Sequence, residues 1–426
     1  MFENDRGMQD QSRDSECLSP AGSRDLSHGL TGVVATLRAI PRRAALAESA
    51  VWREHGDEVG RITRALRFGE PGAAADPPPH RSIRIVSWNI ERGKRCAAQS
   101  AYLRAHPVLR HADVVLLNEV DVGMARSDNQ DVARDFADAL GFHHVFGTCY
   151  LCLDAGNVRD RASGPEPARE PRNAQGLAGN AILSRFPILR AENISLTITK
   201  EKFHSSEKRL GHKKALWAEL STPLGRLPVA AVHLDSSCAP SQRAAQLGDL
   251  LRKLGERGVS DRCVVGGDLN TTTYDLASIP RLLGNIALKM ARGGFAHAIH
   301  HYVHPNLLYE KPVFDALDAA GFEWRSLNAH AVGTSRYEVG TFDSESKIRD
   351  YLPEIFVRLL AWRLRPWNGV APLKIDWLSG RGVRPLGADE IRDGDRGSVS
   401  PAPFAKPRHD GRLLSDHDPI VVDVTF

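Results

Sequence analysis

RCVVGGDLNT (262–271) runs from two adjacent valines through a glycine pair to an acid and an amide two positions apart. A short apolar run of this kind reads as a buried strand, RCVVGGDL (262–269). Its glycines let another backbone or a small group come close. In a strand, residues i and i+2 face the same way, so Asp268 and Asn270 present their polar groups on one side.

The same texture extends in both directions from Ser82 onward. IRIVSW (83–88), DVVLLNE (113–119), NAILSR (180–185), LWAEL (216–220), LPVAAVHL (227–234), LKIDWL (373–378) and PIVVDVTF (419–426) are short β-branched runs. Helical segments fit between them, notably ARDFADAL (133–140) and SQRAAQLGDLLRKLGE (241–256). The alternation predicts an α/β fold with polar residues gathered at strand ends.

Two domains of unequal weight follow. Residues 1–80 read as a variable tail with one or two helices, closed by the Pro-rich linker PGAAADPPPH (71–80). Residues 81–426 read as one large α/β domain, with insertions near 153–178 and 275–370. The first is polar and rich in Gly, Pro and Arg; the second carries the helical candidates 275–291 and 347–364 and forms a cap beside the site.

Composition excludes several classes. With 42% hydrophobic and 25% charged residues among 426, the chain is neither collagenous, nor a coiled coil, nor wholly disordered. No apolar stretch reaches the roughly 18 residues of a membrane span, and the charged N-terminus lacks the apolar core of a signal peptide, so the expected compartment is cytoplasmic. The net charge of +4 does not mark a dedicated nucleic-acid coat. Cys17, Cys96, Cys149, Cys152, Cys238 and Cys263 are spread as reduced thiols would be, and the CxxC pair Cys149/Cys152 lacks a second ligand pair for zinc.

Chemistry collects at the strand ends: Asn89 and Glu91, Glu119, His233, Asp268 and Asn270, Asp376, and the turn Ser415-Asp416-His417-Asp418 before the last strand. Converging carboxylates without cysteine partners favour a hard cation such as Mg²⁺ or Mn²⁺ over zinc.

SWNIERG (87–93), LLNEVD (116–121), GNAILSRFP (179–187), VHLDSS (232–237), GGDLNT (266–271), KIDWL (374–378) and LSDHDPI (414–420) follow one another in an order that resembles the endonuclease/exonuclease/phosphatase superfamily. The resemblance spans residues 82–426. It implies a DNase I-like four-layer α/β/β/α sandwich of two packed mixed sheets, and a Mg²⁺- or Mn²⁺-dependent hydrolase acting on a phosphoester. By motif, Asn89, Glu91, Glu119 and Asp416 would hold the metal. Asp268 would activate the attacking water, with Asn270 on the phosphoryl group. His417 would donate to a phosphate oxygen, oriented by Asp376, and His233 would stand near the leaving group. Asn180 and Lys214 would contact the phosphate, Asn180 reading equally as a residue that shapes the turn after Gly179. Asn118 replaces the glutamine of many members, a change of little expected consequence.

The resemblance leaves nuclease, lipid phosphodiesterase and inositol-type phosphatase open. The nuclease reading leads on the basic loop Lys200–Lys214, with its six Lys/Arg, and a non-catalytic binding module trails because both the metal-ligating and water-activating carboxylates are present. The expected partner is a phosphoester substrate, nucleic acid included; no protein partner is readable. His297, His300, His301 and His304 share one helix face and read as a polar face rather than a second metal site. Phe356, Trp362 and Trp367 among Arg358, Arg363 and Arg365 suit a membrane surface or a nucleotide stack, but their Leu/Ile/Val neighbours favour helix packing with snorkelling arginines.

Overall fold

The computed structural model describes residues 16–72, 81–156, 172–205, 207–259, 261–338, 362, 364–387, 390 and 400–426. Its strands in chain order are β1 (Leu66–Gly69), β2 (Ile83–Arg92), β3 (Val114–Val122), β4 (His143–Cys152), β5 (Leu177–Ser184) and β6 (Ile188–Ser195). They continue with β7 (Arg209–Gly211), β8 (Lys214–Thr222), β9 (Gly225–His233), β10 (Cys263–Asp268), β11 (Ser335–Glu338) and β12 (Val370–Leu373). The last are β13 (Asp376–Arg381), β14 (Arg384–Pro385), β15 (Ala402–Pro403), β16 (Arg408–His409), β17 (Arg412–Leu413) and β18 (Ile420–Thr425). One sheet has nine strands in the order β1-β4-β5-β3-β2-β18-β14, with β15 on β18 and β7 on β4; a second has five, β13-β10-β9-β8-β6. Both are mixed, with β2 parallel to β3 and β9 parallel to β10 among antiparallel neighbours.

Strand periodicity decides which side chains meet. Ile83 and Ile85 of β2 face the gap between the sheets, where Leu116, Leu216, Val229 and Leu378 join them. Val86, Trp88 and Ile90 point the other way, into a core shared with Leu103 and Phe136 of α4 (Cys96–Ala105) and α5 (Val132–Leu140). On the outer face of the smaller sheet, Trp217, Val232 and Val265 pack on Leu247, Leu250 and Leu254 of α6 (Pro240–Glu256) and Phe314 and Leu317 of α9 (Lys311–Ala319). Helix, sheet, sheet and helix are thus stacked in that order, as the four-layer expectation requires. The start of α6 is fixed locally: Pro240 opens its first turn, and the Gln242 side chain accepts from the Ala239 N–H at 2.9 Å.

The segment before the linker departs from the expected boundary at residue 80. It forms α1 (Val34–Ala39), α2 (Arg43–Glu48) and α3 (Ala50–Thr63), and its Leu26, Leu30, Leu37, Leu46, Val59 and Ile62 lie in the same core as Val86 and Trp88. β1 pairs antiparallel with β4, Leu66 opposite Gly147, and Leu18 exchanges two backbone hydrogen bonds of 2.8 Å with Ala191. The helical pattern looked broken in sequence because its apolar face is completed by a sheet more than 20 residues further on. Residues 73–80 of the linker and 157–171 of the first insertion lie outside the described residues.

The second insertion supplies α7 (Ile279–Ala291), α8 (Gly294–Val303) and α9. Ser278 caps α7 by accepting from the Arg281 N–H. Ala298, Ile299 and Tyr302 of α8 pack with Leu364, Leu373 and Ile375, and Trp367 lies against them. The helical candidate 347–364, with Phe356, Arg358 and Arg363, falls on residues that, apart from Trp362 and Leu364, lie outside the described ones.

Ile62 is fully buried, so Ile62→Ala should lower the stability of the protein by about 2–4 kcal/mol. Urea unfolding followed by fluorescence of the sandwich tryptophans checks this; an independent appendage would leave that transition unmoved.

Candidate active site

Strand ends from both sheets meet at one end of the sandwich. On the larger sheet the β2–β3 register slips after Asn89 and the β3–β5 register after Leu117. Each slip re-aims the residues that follow it. Glu91 and Glu119 there adopt left-handed backbone, φ 49° and 56°, which costs about 1–2 kcal/mol for a residue with a Cβ. On the smaller sheet His233 is the register partner of Asp268 across β9–β10, and Asp376 is its partner across β10–β13. One row across three strands therefore carries an imidazole and two carboxylates.

Asp268 is the hub. Its Oδ2 accepts from the Asn89 amide at 3.2 Å and lies 3.4 Å from His233 Nε2 and 3.8 Å from His417 Nε2. Its Oδ1 accepts from the Asn270 N–H at 2.8 Å, while the Asn270 side chain donates to Leu234 O. His417 Nδ1 lies 2.9 Å from Asp376 Oδ2, which also accepts from Thr334 Oγ1 at 2.7 Å. The turn carrying His417 is pinned to β2: Ser415 Oγ donates to Asn89 O at 2.7 Å, and Trp88 Nε1 donates to His417 O at 3.0 Å.

Burial and charge set the two imidazoles apart. Burial alone would depress His417, but Asp376, Asp416 and Asp268 outweigh it and hold the ring well above the usual range. His233 is held well below that range by burial and by the nearby Lys213 charge, against the pull of Glu119, whose Oε1 is 4.0 Å away. Asp268 is pushed up to about 7, chiefly by burial.

The other candidates divide. Glu91 pairs with Lys94 at 2.6 Å and Glu119 with Arg92 at 3.1 Å, while Asp416 is largely exposed, its Oδ1 4.0 Å from His417 Nε2. Burial and the Asp416 charge raise the Glu91 carboxyl, with Lys94 and Arg95 opposing. Asn89, Glu91, Glu119 and Asp416 offer oxygen donors of the hard type that suits Mg²⁺ or Mn²⁺, but among the described residues Glu91, Glu119 and Asp416 form no group of close ligand atoms. Among the described residues the tightest group of ligand-type atoms is instead Asp268, Asp376 and His417, within 4.8 Å of one another. His417 Nδ1 is engaged by Asp376 and its Nε2 faces Asp268, the arrangement of a hydrogen-bonded relay.

Asn180 and Lys214 do not join the cluster around Asp268. Asn180 accepts from the Asn118 amide at 3.0 Å and donates to Lys214 O at 2.9 Å, inside the sandwich. The Lys214 side chain, 1% exposed, turns inward toward Cys149 O. Neighbouring positions of an extended chain face opposite ways, and it is Lys213, one residue earlier, whose charge acts on His233 and Asp268. The basic loop is also less available than its composition implies: Lys202 pairs with Asp235, Lys208 donates to Arg38 O and Ile40 O, and Arg209 pairs with Glu207. Asn118, expected to matter little, accepts from the Asp268 N–H at 2.9 Å and so joins the two sheets at the hub.

The loop after Asn270 is anchored from the cap. Lys289 of α7 donates to Thr273 O at 2.9 Å and Thr273 Oγ1 at 2.8 Å, and the Thr273 N–H donates to Glu310, itself paired with Arg243. Tyr274, Tyr302 and Tyr309 surround the ammonium. On α8, His297 Nε2 bonds Tyr309 Oη at 2.9 Å, and its histidine neighbours form no group of three close ligand atoms. His300 is exposed, whereas His301 is buried with its ring against Tyr309.

A model of the endonuclease/exonuclease/phosphatase family matches residues 86–342, more than half of the chain. The chain belongs to that family. No curated protein matches it by sequence. Among solved structures, an endonuclease/exonuclease/phosphatase from Beutenbergia cavernae is similar at 16% identity over 82% of this chain and 72% of that one, with a TM-score of 0.45. The human Nocturnin catalytic domain is similar at 17% identity over 85% and 97%, TM-score 0.40. D. rerio TDP2 complexed with a single-strand DNA product is similar at 16% identity over 82% and 100%, TM-score 0.42. Family members are generally phosphoester hydrolases. No helix among the described residues is long and apolar enough to cross a membrane.

Two outcomes are expected. Asn118→Leu strands the Asp268 N–H and one hydrogen bond of Asn180 in a dry interior, so it should cost about 2–4 kcal/mol in urea unfolding. Burial pushes Lys289 down to about 7 from 10.5, Glu310 opposing and Arg243 assisting. Between those values the unfolded chain holds a proton that the folded protein has lost, so stability relative to Lys289→Met should rise with pH across that window and level off below it. Paired urea titrations near the two ends of the window check the sign.

Proposed function

We propose that the chain is a divalent-metal-dependent phosphodiesterase that cleaves its substrate by in-line attack of water. The observation that carries this reading is the row His233, Asp268 and Asp376 across β9, β10 and β13, faced by His417 and Asn89. Asp268 orients the attacking water and takes its proton as the new P–O bond forms. The leaving oxygen departs with its bonding pair beside His233. His417, held by Asp376, donates to a phosphoryl oxygen, and Asn270 and Lys213 flank the same group. Asn89, Glu91, Glu119 and Asp416 would hold a Mg²⁺ or Mn²⁺ ion, which neutralises charge developing on the phosphoryl oxygens. Asn180 and Lys214 leave the substrate set and act as interior supports.

The chemistry recognised is a phosphodiester; with most cations of the 200–214 loop engaged internally, a nucleic-acid substrate has no special support over a phospholipid or another diester. Bis-p-nitrophenyl phosphate tests the chemistry without that choice. Hydrolysis should stop on chelation and return with Mg²⁺ or Mn²⁺. Glu119→Gln should regain part of its rate at higher metal concentration. Asp268→Asn should lower kcat by about 10² or more at every metal concentration. Equal rescue of both variants would overturn the division of roles, and activity that survives chelation would overturn the metal dependence.

A further inference from the structure

The cap reaches the site through one buried cation. Among the described residues of α7 only Lys289 is buried, at 1% exposure. A lysine is rarely taken fully out of water unless it is paired. The acid whose charge acts on it, Glu310, is already paired with Arg243, and it accepts from the Thr273 N–H at 2.8 Å. The Lys289 ammonium is committed to Thr273 instead, donating to its carbonyl and its hydroxyl, with the Tyr274 ring centre 3.5 Å away and that of Tyr309 4.8 Å away. All three polar groups of Thr273 are thus held by residues of the insertion. A methionine at 289 would fill similar space without the cost of desolvating a cation, so burial alone gives no reason for a lysine there.

What this anchor holds is a strained turn. Asn270 and Thr273 both have left-handed backbone, φ 52° and 67°, which a β-branched residue such as threonine seldom adopts. Such conformations persist where surrounding contacts over-determine them, and they gather at functional sites. The turn is also short: the Thr272 N–H donates to Asn270 O at 2.7 Å, and the Asn270 N–H donates to Asp268 Oδ1 at 2.8 Å. Its near side is fastened by the Asn270 amide on Leu234 O and by Thr271 Oγ1, which donates to Lys374 O and accepts from Trp377 Nε1. Its far end is Thr273. A shift there passes within three residues to the N–H that orients the Asp268 carboxylate.

We propose that Lys289 is a positioning residue for hydrolysis: by clamping Thr273 from the cap, it holds Asn270 and the Asp268 carboxylate in the geometry that the attacking water needs. It acts through the loop and not on the substrate. The role rests on the assignment of Asp268 under the proposed function.

Hydrogen exchange and kinetics on the full chain test it. In Lys289→Met, peptides spanning residues 268–274 should exchange about tenfold faster than in the wild type, with β9 and β13 unchanged. With bis-p-nitrophenyl phosphate and saturating Mg²⁺, kcat should fall about tenfold while KM stays within about twofold. Ile299→Ala is the control for a cap that is merely looser: it removes packing against Leu364 and Leu373 but no contact with Thr273, and should leave both readouts at wild-type values. If the methionine variant does not fold, Lys289→Gln takes its place, its shorter amide also losing the Thr273 bonds. Unchanged exchange across 268–274 overturns the proposal. So does an unchanged kcat in a variant whose loop exchanges faster, or an equal loss in Ile299→Ala. A wild type without metal-dependent hydrolysis of the diester overturns the catalytic reading, a failure told apart from this one because exchange reads the clamp without any substrate.

Discussion

The amide of Asn118 bridges the gap between the two sheets where that gap opens into the site. It reaches from β3 to the Asp268 backbone on β10, and through Asn180 to the Lys214 carbonyl on β8. Elsewhere the gap is filled mainly by apolar side chains, which set a spacing but no fine register, with one further amide, Asn193 of β6, donating across it to Thr148 O of β4. A pair of satisfied amides specifies geometry more narrowly, because a small shift leaves a polar group without a partner in a dry interior. Gly267 shows how tight the junction is: its φ is 147°, and a Cβ there would lie 1.9 Å from Val232 O and 2.7 Å from Asn118 Oδ1. The hub carboxylate of Asp268 is held in place by this junction as much as by its own strand.

What the sequence disclosed follows from the range of the interactions involved. Strands and their polar ends were legible because periodicity and glycine placement are local, and the row His233, Asp268 and Asp376 formed as soon as their strands paired. The orientation of Lys214 was not legible. It depends on a register relation one residue in length, and a slip of one position exchanges it for Lys213. Asn180 carried two readings in sequence, a phosphate contact and a turn former, and it serves neither, because its partners Asn118 and Lys214 come from distant parts of the chain. The basic loop misled through composition alone: Asp235, Glu207 and two backbone carbonyls of α1 and its exit engage its cations, and none of these is visible as a partner before folding.

The residues before the linker posed the same problem on a larger scale. A helix whose apolar face has no local complement reads as weak, and α1 to α3 find theirs on the back of the larger sheet and along β4. The proline-rich stretch between β1 and β2 therefore does not mark where the core ends.

β18, built from Ile420–Thr425, is an interior strand: it lies between β2 and β14, and β2 is the strand that carries Asn89 and Glu91. The turn that delivers His417 immediately precedes it. During synthesis, therefore, the larger sheet stays open along β2 until residues near 425 have left the ribosome, and a nascent chain bears its metal-candidate carboxylates without the imidazole that faces them. Cleavage just before Ser415 would have the same result, removing β18 and His417 in one event. Completion of the larger sheet and assembly of the site are thereby coupled.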